Sequence, residues 1–305
     1  RARVSAVYTL GLKFARSGEV PAPSSPSATP NDPLHAGMTD TFARNYDAAV
    51  AAFDNAADIP APDAPIAAKA YTEYAIRQMD GGNAASALSA AKRANTLLPS
   101  AATYNLLGAA QVLNGQFEAA IPNLERARAS GSADDPKQRA IVDANLVAAY
   151  VGDNRIDDAK RVATEATTLD PSSDAAQMQI VKYYAKLGDA AHAGAKEAEA
   201  ASEYEAAGAA APPKTAVVMY TNAAFACLEA LTPDNARAQT DAQRALSLDP
   251  QNAEASYALG IALANDGKTK DAIDALRSAD TAAKSGGKTD LSARIEKSLK
   301  NLGAL

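Results

Sequence analysis

The sequence is poor in the residues that support sheets, disulfides and metal sites. It has no tryptophan, five phenylalanines, one cysteine and two histidines in 305 residues. A large sheet requires aromatic and β-branched side chains, so their scarcity argues against one. The single cysteine, Cys227, excludes an intramolecular disulfide. His35 and His192 lie far apart in the sequence, so we expect no metal site and no cofactor.

Long apolar runs and an excess of positive charge are also missing. No run of 18 apolar residues occurs, so no membrane span is expected. The formal net charge is −6, whereas sequence-blind nucleic-acid binding requires a surplus of lysine and arginine. We therefore expect no nucleic-acid partner. The chain starts at Arg1 with no methionine, which leaves a removed signal peptide or an upstream anchor open.

Alanine and a long-period repeat are what the sequence does contain. Alanine, the strongest helix former, makes up 77 of the 305 residues. Three similar segments are Leu97-Leu98-Pro99, Leu169-Asp170-Pro171 and Leu248-Asp249-Pro250. Their prolines are 72 and 79 residues apart, which corresponds to two units of about 34 residues plus a few inserted ones. Such a period indicates stacked helical units.

Within each period the residues resemble those of the tetratricopeptide-repeat family. The clearest unit, 101–135, has Tyr104, Leu107 and Gly108 in helix A, the turn Asn114-Gly115, and Ala120, Leu124 and Ala127 in helix B. The other units are 68–100, 140–173, 174–211, 219–252 and 253–286. The resemblance implies an all-α, right-handed superhelical solenoid of about seven helix pairs with a C-terminal capping helix.

The ends of the chain are assigned from the same pattern. Residues 1–58 are predicted to form a first helix pair, with helix A at 4–18 and helix B at 40–58. The Pro/Ser/Ala-rich stretch at about 19–39 is interpreted as an insertion; the alternative is a linker after an N-terminal partner-binding helix. Residues 59–67 are a linker, 68–286 hold the six units, and 287–305 form the cap, with Leu291, Ile295 and Leu299 facing inward.

Unit 174–211 departs from the pattern. Its turn is predicted at Gly188-Asp189, and a long Ala/Glu-rich helix from Lys196 to Ala211 is expected to protrude.

Few residues suggest catalysis. Gly267-Lys268-Thr269 and Gly287-Lys288-Thr289 have alanine where a phosphate-binding loop requires its first glycine, so they are interpreted as helix-ending turns. Cys227 is expected to be a buried structural residue. No activated nucleophile or metal set converges, and we predict that the chain is not an enzyme.

The resemblance implies a concave groove lined by the A helices. Its predicted partner-binding residues are Thr72, Ile76, Asn105, Ala109, Asn145, Gln179, Lys182, Lys186, Tyr220, Tyr257 and Asn265. The cationic residues of the Hsp70/Hsp90-type carboxylate clamp are not at the matching positions, so no such clamp is expected. Amides such as Asn105 and Asn145 can bond both the C=O and the N–H of an extended peptide; alternatively, they bond only neighbouring turns.

The predicted function is a non-enzymatic scaffold for protein–protein interaction. It would bind a partner segment in the groove or dock as an accessory subunit of a larger assembly, a membrane-associated one included. One alternative is a cell-envelope assembly factor for a pilus, secretion or outer-membrane complex. Another is the regulatory repeat domain of an enzyme. The Ala-rich, Lys-poor composition indicates a bacterial protein, with the periplasm or cell envelope favoured over the cytoplasm.

Overall fold

The computed structural model describes residues 32–131 and 136–305, and every regular element within them is an α-helix. The helices are α1 (Pro33–Phe42), α2 (Tyr46–Asn55), α3 (Ala64–Asp80), α4 (Ala84–Leu97), α5 (Ala101–Leu113), α6 (Phe117–Gly131), α7 (Pro136–Gly152), α8 (Ile156–Leu169), α9 (Ala175–Ala193), α10 (Glu197–Ala210), α11 (Pro213–Glu229), α12 (Asn235–Leu248), α13 (Ala253–Asn265), α14 (Thr269–Ser285) and α15 (Thr289–Asn301). The all-α prediction is confirmed.

The described residues form two compact halves, an N-terminal half (32–179) and a C-terminal half (180–305). In the N-terminal half, α1 packs on α2, α3 on α4, α5 on α6 and α7 on α8. The first helix of each pair, helix A, also contacts the helix A of the next pair. In the C-terminal half, α11 packs on α12, α13 on α14, and α11 contacts α13. This recurrent pairing is the predicted solenoid organisation.

Small side chains allow the two helices of a pair to approach closely. Ala87, Ala91 and Ala94 of α4 are completely buried. A Cβ atom added to Gly108 in α5 would lie 2.4 Å from Cγ of Leu124 in α6, so only glycine fits there. The same relationship recurs at Gly260, where a Cβ would lie 2.7 Å from Cγ of Leu276.

The turns between paired helices use the left-handed backbone conformation. Gly115 and Gly267 have φ of +70° and +74°, and Asn154 has φ of +59°. Glycine reaches this region without a Cβ penalty, and asparagine tolerates it better than most residues. The predicted turn at 114–115 therefore lies where the sequence indicated, and the turns at 153–154 and 266–267 follow the same pattern.

The turn predicted at Gly188-Asp189 is wrong. Helix α9 continues through these residues to Ala193, and the chain reverses at Ala195, which has φ of +56°. Gly188 is instead a packing glycine, because a Cβ there would lie 2.7 Å from the ring of Tyr204 in α10. The expected protrusion of Lys196 to Ala211 is also wrong, since α10 has the same 14 residues as α8 and the added length belongs to α9.

The first described pair differs from the predicted arrangement. The helix expected over 4–18 lies outside the described residues. Residues 33–39, assigned to the insertion, belong to α1, which Asp32 caps through a 3.2 Å hydrogen bond from the Leu34 amide. The helix expected over 40–58 is divided by Arg44, whose φ is +58°. The predicted linker also ends early, because α3 already begins at Ala64, with Pro65 in its first turn.

The C-terminal cap is confirmed. Helix α15 packs on α14 and buries Leu291, Ile295 and Leu299. These residues follow one another at four-residue steps and so share one face of the helix. The opposite face carries exposed polar residues, which ends the apolar stacking at this side of the solenoid.

Candidate partner-binding surface

The predicted groove residues of the N-terminal half lie where consecutive A helices meet. Nδ2 of Asn145 in α7 donates to Oδ1 of Asn105 in α5 at 2.9 Å. These two residues are 1% and 3% exposed. Thr72, Ala109 and Gln179 are buried as well. The alternative prediction was that these asparagines bond only to neighbouring turns. The observed bond differs from it, because it joins the helices of two successive pairs.

Accessible surface on the same helices is provided by partly buried residues. Ile76 in α3 packs against the N-terminal core and remains partly accessible. Glu73, one turn earlier, is also partly accessible. We define the A-helix surface by Glu73 and Ile76 of α3 together with the adjoining helices α5 and α7, which the buried Asn105–Asn145 bond connects. Its accessible groups on α3 are one apolar and one acidic side chain.

The two predicted groove tyrosines of the C-terminal half are packing residues. The ring of Tyr220 lies against Gly208 in α10, and the Arg244 guanidinium carbon is 5.5 Å from its centroid. Tyr257 has its centroid 6.2 Å from that of Phe225, and Arg294 of the cap lies 5.3 Å above it. Both arginines are positioned for cation–π contact.

The remaining predicted residues are polar. Lys182 is half-buried, and desolvation lowers the pKa of its ammonium group. Lys186 is exposed. Asn265 at the end of α13 donates to Oδ1 of Asn235 at 3.0 Å.

An ionic network in the N-terminal half was not predicted. Asp143 in α7 is 1% exposed and accepts hydrogen bonds from Arg128 at 2.8 Å and Arg139 at 3.1 Å. Burial raises the pKa of Asp143, and the two guanidinium groups oppose that shift. Arg128 also contacts Glu165, so the network connects α6, α7 and α8. The sequence feature that could have indicated this network is an aspartate within the apolar run of α7.

The C-terminal half contains a buried carboxyl pair. Asp241 in α12 is completely buried, next to the Glu205 side chain of α10. Burial raises the pKa of Asp241 to about 7, and the hydrogen bond with Glu205 and its charge add to the shift. Arg237 pairs with Glu205, and Arg244 with Asp241 at 3.1 Å. The two carboxyl groups can therefore share one proton.

Cys227 is buried as predicted. Cys227 is 2% exposed, and burial raises the pKa of its thiol to about 12. The reactive species of cysteine is the thiolate. At neutral pH this side chain is therefore a protonated packing group.

No helix within residues 32–131 and 136–305 is both long and apolar enough to cross a membrane.

Sequence comparison finds one family match, in the C-terminal half. The tetratricopeptide repeat profile matches residues 234–287, which cover α12, α13 and α14. This segment carries tetratricopeptide repeats. The family resemblance drawn from the sequence pattern is confirmed there. Gly260, against Leu276, is the packing glycine of the matched tetratricopeptide segment.

Solved tetratricopeptide structures are similar to this chain over most of its length. The TPR2AB domain of yeast Sti1 is 17% identical, covering 77% of this chain and 98% of its own, with a TM-score of 0.37. A TPR repeats protein from Bacteroides fragilis is 15% identical, covering 75% and 98%, with a TM-score of 0.38. Yeast Tom70 is 12% identical, covering 97% and 67%, with a TM-score of 0.35. No curated protein matches the sequence significantly.

Proposed function

We propose that the chain is a non-enzymatic scaffold that binds an extended segment of a partner protein along its A-helix surface. Tetratricopeptide repeats are in general a protein–protein interaction fold. The contact lies on the N-terminal half, where α3 packs against α5 and α5 against α7. The groove residues predicted in that half are Thr72, Ile76, Asn105, Ala109, Asn145 and Gln179.

The observation that carries the proposal is the bond between Asn145 and Asn105. Both amides are buried, so the bond acts on the surface indirectly: it fixes α5 against α7 and thereby orders the A helices that a partner would contact. Ordering a binding surface in advance reduces the entropy cost of binding.

The accessible residues beside the pair suit an extended peptide. Partly exposed Ile76 offers an apolar contact, and Glu73 offers a carboxylate acceptor. An extended segment alternates its side chains every second residue, so one side chain can reach Ile76 while the backbone passes beside Glu73.

Site-specific photocrosslinking in the native cell tests this proposal. A photoreactive amino acid is placed at Glu73 or Ile76 on the A-helix surface, and at exposed Thr164 in α8 as the matched B-helix control. We expect a defined partner to be crosslinked from the two α3 positions, and the crosslink to be lost in the Asn105→Ala/Asn145→Ala background. Crosslinking from Thr164 alone would place the contact on the B helices and contradict the proposal.

The identity of the crosslinked protein then separates the narrower functions. Pilus, secretion or outer-membrane subunits would support the envelope assembly factor. A single enzyme whose turnover changes on binding would support the regulatory repeat domain. The thermal midpoint of the double variant must stay above the assay temperature for the loss of the crosslink to count as loss of binding.

A further inference from the structure

Three potential metal-ligating side chains meet at one point in the C-terminal half. His192 lies near the end of α9, Glu197 is the first residue of α10, and Glu229 is the last residue of α11. One ligand atom from each residue lies within 4.8 Å of the other two. Nδ1 of His192 and Oε1 of Glu197 are 2.6 Å apart.

The backbone holds the first two of these residues in place. The α9–α10 turn is closed by hydrogen bonds from the Lys196 amide to the Ala191 carbonyl at 2.9 Å and from the Ala195 amide to the His192 carbonyl at 2.9 Å. This tight turn brings the last turn of one helix against the first residue of the next. The third residue arrives from α11, which packs on α10.

We infer that His192, Glu197 and Glu229 form a binding site for a divalent transition-metal ion of the zinc class. One imidazole and two carboxylates supply nitrogen and oxygen donors and a total charge of −2, which balances the charge of the ion. Tetrahedral zinc keeps its ligand atoms about 3.4 Å apart. Nδ1 of His192 and Oε1 of Glu197, at 2.6 Å, need to separate slightly to reach that spacing, and the exposed side chain of Glu229 can adjust its position toward them.

The donor set discriminates between metal ions. An imidazole nitrogen suits zinc, copper and nickel, whereas magnesium and calcium prefer a shell made of oxygen alone. Three protein ligands leave a fourth zinc position for a water molecule. A bound ion would connect the ends of α9, α10 and α11, so its effect on the molecule is to stabilise this junction.

The sequence does not indicate this site, because the two histidines lie far apart and the carboxylates follow no metal-ligand spacing. Glu197 is five residues from His192, and Glu229 is 37 residues away. Neither spacing corresponds to a known short zinc motif. Their convergence is a product of helix pairing.

Zinc titration of tag-free protein tests the inference. The proteins compared are the wild type, His192→Ala and Glu229→Gln, with Glu199→Gln as a control that removes an exposed carboxylate from the same first turn of α10. His35→Ala controls for the other histidine. Calorimetry gives stoichiometry and affinity, thermal unfolding gives stabilisation, and Co²⁺ absorption reports tetrahedral coordination.

We expect one zinc equivalent per chain, a higher thermal midpoint with zinc, no such effect with magnesium, and a visible Co²⁺ band. His192→Ala and Glu229→Gln should weaken zinc binding by at least about tenfold, while both controls bind as the wild type does. Glu229 is exposed, so we expect Glu229→Gln to fold, and it decides the question even if His192→Ala unfolds. Absence of saturable zinc binding, or equal binding by Glu229→Gln, would overturn the inference.

Discussion

Asn145 donates a 2.9 Å hydrogen bond to Asn105 across two successive helix pairs, and both residues are almost fully buried. The bond connects α5 and α7 at a point where the sequence pattern predicted only two groove amides. A buried polar group is costly unless it is paired, so each asparagine depends on the other. The pair therefore stabilises the contact between the two A helices that adjoin the A-helix surface.

The first prediction follows from this dependence. Asn145→Ala leaves the buried Oδ1 of Asn105 without this donor and should destabilise the chain by about 1–3 kcal/mol. Asn105→Ala/Asn145→Ala should cost less than the sum of the two single variants, because the second substitution removes the orphaned partner. Urea unfolding of the four proteins measures the coupling. Additive effects would show that the bond contributes nothing of its own.

A second prediction concerns the close approach at Gly108. Gly108→Ala places a Cβ against Cγ of Leu124 and should destabilise by about 1–3 kcal/mol, as overpacking does. Gly108→Leu should cost at least as much. Gly81→Ala is the matched control, because a Cβ there meets its nearest atom at 3.4 Å. Thermal unfolding of the three variants, each compared with the wild type, gives their midpoints. An unchanged midpoint for Gly108→Leu would refute the assigned contact between α5 and α6.

The third prediction concerns the turn that the sequence misplaced. Ala195 adopts φ of +56°, a conformation that costs an L-residue with a Cβ about 1 kcal/mol. Ala195→Gly should therefore raise the stability of the C-terminal half by a similar amount. Gly267→Ala is the converse test and should lower the stability. A Cβ at Gly267 would meet nothing within 4 Å, so only the backbone strain would change. A loss of stability in Ala195→Gly, measured by urea unfolding, would contradict this account.

The fourth prediction is a pH dependence at Asp241. Burial holds its folded pKa at about 7, above the ordinary aspartate value near 4, so the folded state binds the proton more tightly than the unfolded state. The protonated carboxyl therefore favours folding at low pH, and this contribution is lost as the pH rises from about 4 to 7. Asp241→Asn imitates the protonated form and should stabilise the chain more at pH 8 than at pH 5.

Thermal midpoints at the two pH values measure this difference. Asp271→Asn, at an exposed position in α14, is the control and should change the midpoint by a similar small amount at both. If Asp241→Asn destabilised the chain equally at pH 5 and pH 8, the ionised carboxylate and its contact with Arg244 would be the more important structural feature.

The sequence by itself determined the local plan of the molecule. Alanine-rich faces, turn glycines such as Gly115, and the apolar stripe of the cap act within a few residues of one another, so their period is visible without coordinates. Gly108 and Gly260 could also be assigned, since small residues at those positions allow helices A and B to approach. The family match at 234–287 agrees with that interpretation.

Only the tertiary structure decided which residues from distant parts of the sequence contact one another. Gly188 could be a turn glycine or a packing glycine, and the ring of Tyr204, 16 residues later, made it the second. The Asn105–Asn145 bond, the carboxyl pair of Asp241 and the junction at His192 join residues from different helices. The period of the sequence specifies which face of its own helix a residue occupies. The packing of the helices specifies which residues of other helices it contacts.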